Sequence, residues 1–283
     1  MTDTPTSRRR LLQASGGLLA AATAGCLGLG GGSDPTTTDD TDGGMTTTGS
    51  MDGGMDETTT GSMDGTTTEG SMGTTFTVRI ENVSTGSTLQ TMDGSVAVPL
   101  SPGAFVVHSE PGALFTAGEP ASEGLEAVAE DGTPGTLAEE VSGGMTMAGG
   151  AFDTPASASA PGPIGPGDAY EFAVSAPEGA RLSFATMFIQ SNDLFYAPSP
   201  EGIPLYDDGP VGGSVTDGVA LWDAGTEANE PPGEGPNQAP RQSGPDTGEE
   251  EMGTVRRVGE VDDGFDYPDV AEVIEVTVSP EMG

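Results

Sequence analysis

Phe76-Thr77-Val78-Arg79-Ile80-Glu81 alternates apolar and polar side chains with a period of two residues. This period is typical of a β-strand that has one face on a core and the other in solvent. Further short apolar runs, separated by turn-forming residues, lie at 104–107, 182–189, 218–222 and 273–278. The first and last of these strands are expected to lie near each other.

Helical signals are confined to short segments. Ser122 is a candidate N-cap for a helix that carries Leu125 and Val128 and ends at Asp131-Gly132, and residues 137–141 indicate a second short helix. Residues 142–167 are rich in Gly, Ala and Pro and are expected to form a loop, as is an acidic stretch near residues 229–269. Many short strands with little helix predict an all-β fold, an antiparallel β-sandwich with short helices.

The chain carries a very large negative charge. The 283 residues include 8 Lys plus Arg, all of them arginine, against 45 Asp plus Glu, for a formal charge of -37. A charge of this sign excludes the phosphate backbone of nucleic acid and an anionic membrane surface as partners. Because the acids are dispersed and lysine is absent, we expect a protein that works in molar salt, where the Debye length falls to about 3 Å.

The N-terminal residues predict export. Arg8 and Arg9 begin a twin-arginine signal, and the apolar run at 14–24 is about half as long as the roughly 20 residues of a membrane-spanning helix. Thr23-Ala24-Gly25-Cys26 resembles a lipobox, so residues 1–25 are expected to be cleaved and Cys26 to carry lipid. The expected location is the outer face of the cytoplasmic membrane, with the lipid anchor as the sole membrane contact. A plain cleaved signal with an incidental cysteine is the alternative.

Residues 26–75 are expected to form a disordered linker. They contain Gly, Thr, Ser, Asp and Met with hardly any large apolar side chain, and Thr-Thr-Thr-Gly-Ser-Met-Asp-Gly occurs at 46–53 and again at 58–65. Thioethers bind Cu(I), so a copper carrier is one alternative function, with the candidate ligands Met45, Met51, Met55, Met63 and Met72. Repeat expansion is the simpler explanation. The folded domain is expected to span residues 76–283.

Two acidic stretches follow predicted strands. They place Asp193, Asp223 and Glu227 at the ends of strands, where binding residues collect. Calcium takes about six to eight oxygen ligands, and carboxylates are prominent among them. Asp223 and Glu227 are alternatively the acid and base of a secreted hydrolase, although no sequence feature indicates a sugar cleft. In so acidic a chain, solvated surface carboxylates are the third interpretation.

These stretches resemble the spondin domain, the N-terminal module of the F-spondin family. The resemblance also includes 114–118, 182–187, Gly202-Ile203-Pro204-Leu205 and the residues after Thr226. It implies a C2-like β-sandwich in which Asp193, Asp223 and Glu227 ligate one Ca²⁺ ion. It further implies a non-enzymatic extracellular module for recognition or adhesion, with a protein or glycan partner. The resemblance covers most of residues 76–238, and residues 243–269 depart from it.

Three further features lie outside the predicted metal site. Asp207-Asp208-Gly209 and Asp262-Asp263-Gly264 are expected to form turns. His108 is the sole histidine, which excludes a multi-histidine metal centre, and it is expected to be a packed or capping residue. Asn82-Val83-Ser84 is a glycosylation sequon, so Asn82 is a possible attachment site if its strand edge faces solvent.

Overall fold

The alternating stretch at residues 76–81 lies in the middle of an antiparallel sheet in a computed structural model, which describes residues 73–143 and 146–281. The expected signal at residues 1–25, the Cys26 lipid site and nearly all of the expected linker lie outside the described residues. In spatial order the four strands of this sheet are β10 (Gly213–Ser214), β13 (Ile274–Pro280), β1 (Thr74–Asn82) and β6 (Ala169–Ala176). The pairing of β1 with β13 confirms that the first and last predicted strands are neighbours.

The second sheet is larger and also antiparallel. In spatial order its strands are β12 (Arg256–Arg257), β11 (Val219–Asp223), β8 (Leu194–Pro198), β7 (Arg181–Phe188), β4 (Leu100–His108) and β5 (Ala148–Phe152), with β9 (Ile203–Pro204) also paired to β7. A separate hairpin joins β2 (Leu89–Thr91) and β3 (Gly94–Val96). Within the described residues the protein is therefore a mainly antiparallel β-sandwich, as the sequence predicts.

The larger sheet is covered on both faces. One face packs against the four-stranded sheet through residues such as Phe76, Phe184 and Val276. The opposite face carries a second core that includes Val106, Phe195 and the helix residues. Because both faces are buried, strands β7, β8 and β11 read as continuous apolar runs, whereas β1 alternates.

Two short helices form the outer layer of the described structure. They are α1 (Glu123–Asp131) and α2 (Gly135–Ser142). Ser122 Oγ accepts a hydrogen bond from Leu125 N at 3.1 Å, and Gly132 ends α1 with a φ of 64°. An N-cap of this kind contributes about 1 kcal/mol. Neither of these helices is long and apolar enough to cross a membrane.

The loop expectation for residues 142–167 is wrong in part, because β5 lies within it and pairs with β4. The first four residues of its Ala-Gly-Gly-Ala-Phe sequence are small, and α2 packs closely over Gly149. A Cβ on Gly149 would lie 3.1 Å from Val141 Cγ2. The acidic stretch after residue 243 is also built into the domain, since it supplies β12 and the buried Val255.

Candidate functional site

Asp193 lies between β7 and β8 and organises the loop that follows β11. Its Oδ2 accepts hydrogen bonds from the backbone N–H groups of Thr226 at 2.8 Å and Glu227 at 3.1 Å. The side chain is fully buried, and its Oδ1 has no hydrogen-bond partner among the described residues. One oxygen of this carboxylate thus binds backbone N–H groups, and the other oxygen receives no hydrogen bond in the described structure.

Asp223 is the last residue of β11 and pairs in register with Leu194, the residue after Asp193. Its Oδ2 accepts a hydrogen bond from Asn229 Nδ2 at 2.8 Å. Its Oδ1 is buried without a hydrogen bond in the described structure, and Arg256 Nε lies 3.8 Å away. The structure therefore brings two aspartates together, each with one buried oxygen that accepts no hydrogen bond.

Gly225 makes the connecting turn possible. It has a φ of 69°, and a Cβ at this position would lie 2.7 Å from Thr254 N. Gly253 N donates to Gly225 O at 2.8 Å, which ties the turn to the segment before β12. The close approach requires glycine and brings the backbone of residues 226–227 onto Asp193.

The carboxylate of Glu227 is directed elsewhere. Its Oε1 accepts from Gly248 N at 2.9 Å, and Asn192 Nδ2 lies 3.4 Å from its Oε2. In the described part of the chain, the trio whose carboxylate oxygens lie within 4.8 Å of one another is Glu126, Glu130 and Asp246, not the predicted one. The metal-ligand role of Glu227 stays a prediction.

The aspartate pair is electrostatically unfavourable without a cation. Burial, and then the neighbouring Asp223, raise the pKa of Asp193 from 3.8 to about 7. Burial also raises the pKa of Asp223, against the opposing effects of the Asn229 hydrogen bond and the Arg256 charge. Both shifts mean that the site favours a proton, or another positive charge, on these carboxylates.

The sequence analysis missed the polar groups that surround the pair. Asn229 Nδ2 also donates to Asp263 Oδ2 at 3.1 Å, and Tyr267 Oη donates to the same oxygen at 2.6 Å. Burial raises the pKa of Tyr267, and the charges of Asp263, Asp223 and Asp193 raise it further. Asn229 follows the acidic stretch of Asp223 and Glu227 in the sequence, but no sequence signal links Asp263 to Asp223.

The two Asp-Asp-Gly motifs form turns, as the sequence predicts. Asp208 and Gly209 have φ values of 53° and 148°, and Asp207 N donates to Gly209 O at 2.9 Å. In the second motif Gly264 has a φ of 78°, and Phe265 N donates to Asp263 Oδ1 at 2.9 Å. The second turn thus also holds the Asp263 carboxylate in place.

His108 is a packed residue at the end of β4. Its Nδ1 lies 2.7 Å from Glu110 O, and its Nε2 lies 2.9 Å from Ser183 Oγ. Because the carbonyl can only accept, Nδ1 carries the proton and Nε2 accepts from the serine hydroxyl. Burial lowers the pKa of His108, and the hydrogen bond to Glu110 opposes that effect.

The glycosylation expectation for Asn82 requires correction. Asn82 is fully buried, and its Nδ2 donates to Val98 O at 2.7 Å and Ile164 O at 3.1 Å. Its Oδ1 accepts from Ser84 N at 3.0 Å. The amide that a glycan would modify is therefore committed to the interior of the folded domain.

Comparison with known proteins identified no relative of this chain. A scan against protein-family models returned no match, and a search of curated proteins also returned none. The assignment of function accordingly rests on the residues and their arrangement.

Proposed function

We propose that this protein is an exported, surface-anchored and non-enzymatic recognition or adhesion module of a halophile, and that a calcium ion at Asp193 and Asp223 stabilises its binding loops. The observation that carries the proposal is the pair of buried oxygens, Asp193 Oδ1 and Asp223 Oδ1, that accept no hydrogen bond in the described structure. Buried charges require pairing or a metal.

The donor set fits a hard cation. Apart from Arg256, which lies 3.8 Å from Asp223 Oδ1, the polar side chains around the pair are carboxylates, the Asn229 amide and the Tyr267 hydroxyl, all of which carry oxygen. Calcium accepts such oxygen ligands with flexible geometry. When bound, the ion would add positive charge to a pair of aspartates that is otherwise approached by Arg256, at 3.8 Å from Asp223 Oδ1.

The surface beside the site has cavities in which an extracellular partner would bind. Two adjacent surface cavities of about 440 and 510 Å³ share Tyr267 and Pro268 in their walls. Tyr267 is hydrogen-bonded to Asp263, which Asn229 links to Asp223. A cation at the pair would thus fix a wall of both cavities, where an extracellular protein or glycan would bind.

Burial favours this role over the hydrolase alternative. Asp223 and Glu227 are 0% and 1% exposed, so neither offers an accessible oxygen to a polymeric substrate. The copper alternative concerns methionines outside the described residues and predicts copper uptake by residues 26–75 alone. The anchor and export proposals rest on Cys26, Arg8 and Arg9.

Isothermal titration of the full chain with calcium chloride in molar potassium chloride tests the proposal. Wild type is expected to show one saturable site that Asp223→Asn removes. Asp262→Asn is the matched control, because it removes the same charge from an exposed position. Equal binding by wild type and Asp223→Asn would refute the site.

A further inference from the structure

The outer edge of β11 is only partly covered by a second strand. On one side all five residues of β11 pair with β8. On the other side β12 pairs with Trp222 and Asp223, so residues 219–221 have no strand beside them in the part of the chain that the structure describes. An edge of this kind can accept a further strand through backbone hydrogen bonds.

The backbone of β11 presents both a donor and an acceptor at this edge. Ala224 N donates to Asp193 O at 3.2 Å, on the side of β8. Since successive residues of a strand direct their backbone groups to opposite sides, those of Leu221 and Val219 point away from β8. Val219 N already donates to Thr216 O. Leu221 N and Val219 O are therefore the groups with which an added strand would pair.

A surface cavity of about 440 Å³ lies along the same edge. Val219, Ala220 and Leu221 belong to its wall, together with Tyr267 and Pro268. Three residues of a strand extend about 10 Å. The cavity thus provides space for a short extended segment beside the backbone groups that such a segment would bind.

Arg257 also lines this cavity, and its guanidinium makes no ion pair or hydrogen bond within the described residues. This is unusual in a chain with 45 Asp plus Glu. The other arginines of the described residues donate to carboxylate or carbonyl oxygens, and they are Arg79, Arg181, Arg241 and Arg256. A hydrogen bond with Ser199 is the main cause that lowers the pKa of the exposed Glu201, and the charge of Arg257 is the smallest one.

The Arg257 guanidinium is held in place by an aromatic ring. Its central carbon lies 4.9 Å from the centre of the Trp222 ring. That ring is itself fixed, because Trp222 Nε1 donates to Ala197 O at 3.1 Å and Phe115 packs against it edge to face. A stacked guanidinium is positioned in advance and loses little conformational freedom when it binds a carboxylate.

From these observations we infer that this cavity binds an extended acidic peptide segment of another protein, which adds a strand to β11 and places a carboxylate on Arg257. The inference rests on the recognition role proposed above and names the kind of partner, but it does not depend on the calcium ion. Backbone hydrogen bonds supply affinity in strand addition, and a charge-assisted bond to the arginine supplies the preference for an acidic side chain. The outward groups of Leu221 and Val219 match a peptide backbone, which favours a protein over a glycan.

Acidic residues in the wall do not prevent this binding. Glu260 and Asp269 also line the cavity, and Arg257 N donates to Glu260 Oε2 at 3.4 Å. In molar salt the Debye length is about 3 Å, so charges act mainly where groups touch. A carboxylate in contact with the Arg257 guanidinium therefore gains more than it loses to acidic groups farther away.

Fluorescence anisotropy of labelled heptapeptides with the full chain in molar potassium chloride tests the inference. The probe alternates threonine and valine around a central glutamate, and matched peptides carry glutamine or lysine instead. Wild type is expected to bind the glutamate peptide at least about threefold more tightly than either. Arg257→Gln is expected to remove this preference, and Arg79→Gln, which alters an arginine of the other sheet, is expected to keep it. Circular dichroism melting establishes that both variants are folded.

Backbone N-methylation of the glutamate peptide separates strand addition from charge alone and needs no protein variant. The N–H groups of an extended peptide alternate in direction, so one alternate set faces β11 and the other faces away. Methylation of one set is expected to weaken binding at least about tenfold, because it blocks the backbone hydrogen bonds. Methylation of the other set is expected to change affinity less than about threefold.

The possible outcomes are distinct. Equal affinity for the glutamate and glutamine peptides, absence of binding by both, or equal effects of the two methylated sets would overturn the inference. Oligogalacturonate binding or dimerisation of wild type that Arg257→Gln abolishes, without peptide binding, would assign the cavity to an acidic glycan or to a second copy of this chain and would also overturn it. Absence of calcium binding would refute the calcium site and not this inference, since the peptide titrations contain no calcium.

Discussion

Replacement of Asp193 by asparagine is expected to stabilise the cation-free protein at pH 7 and above. The amide oxygen can take over the hydrogen bonds from Thr226 N and Glu227 N, which now go to Asp193 Oδ2. The amide nitrogen would occupy the position of Oδ1, which has no donor, and would offer hydrogen bonds toward Asp223. The variant thus keeps the loop contacts and removes a buried charge.

The size of the effect follows from the pKa of Asp193, which rises from 3.8 to about 7 on folding. The folded state binds the proton more tightly than the unfolded state, so this group lowers stability as pH rises between these two values. Each unit of pKa corresponds to about 1.4 kcal/mol. Wild type should therefore lose about 2 kcal/mol relative to Asp193→Asn between pH 5 and pH 7, and little more above pH 8.

Urea unfolding at pH 5, 6, 7 and 8, in molar potassium chloride with a chelator, measures this difference. Asp262→Asn serves as the control for loss of one exposed charge. Saturating calcium should offset much of this difference, since a ligand at a hundred times its dissociation constant adds about 2.7 kcal/mol to wild type alone. Parallel pH profiles for wild type and Asp193→Asn would refute the assignment of a raised pKa to this carboxylate.

Three further predictions concern the rest of the domain. Gly103→Ala should destabilise it by about 3 kcal/mol in urea unfolding, because a Cβ would lie 2.1 Å from Ala185 O. Gly150→Ala, whose Cβ would meet only the Phe105 ring at 3.4 Å, should change stability by less than about 1 kcal/mol, and equal losses would contradict the packing described. The pKa of His108 is lowered from 6.5, so the unfolded state takes up the proton first and stability should fall as pH drops below 6.5. His108→Gln should lack this component, and identical pH slopes would count against it. Transfer from molar to about 0.1 M salt should lower the melting temperature, since screening of a charge of -37 weakens, and an unchanged value would argue against adaptation to high salt.

The fold could be predicted where the pattern of residue types in the sequence matches the burial and the backbone conformation of the folded chain. The alternation at residues 76–81 matches a sheet that buries one face, and Ser122 and Gly132 act as the caps that their residue types indicate. Strand β8 was not predicted, and because both of its faces are buried it shows no alternation. Strand β5 was missed because it consists mainly of glycine and alanine, which are poor strand formers. These small residues allow α2 to pack closely against the strand.

The site could be predicted only in part. Asp193 and Asp223 were found because carboxylates at strand ends are visible in the sequence, and adjacent strands bring such ends together. The Glu227 carboxylate binds the backbone N–H of Gly248 in a distant loop. The spacing of acidic residues in the sequence does not predict this contact. Asp263 comes from a distant turn that joins the pair only through tertiary contact with Asn229.

The placement of β13 between β10 and β1 has a consequence for biogenesis. Residues 274–280 are translated after every other strand that the structure describes, yet they occupy an interior position of their sheet and bury Ile274, Val276 and Val278. Until they emerge, β1 exposes an open hydrogen-bonding edge to other nascent chains. Folding of this sheet must therefore await translation of residues 274–280, and chaperone protection of the nascent β1 edge would limit premature association during that interval.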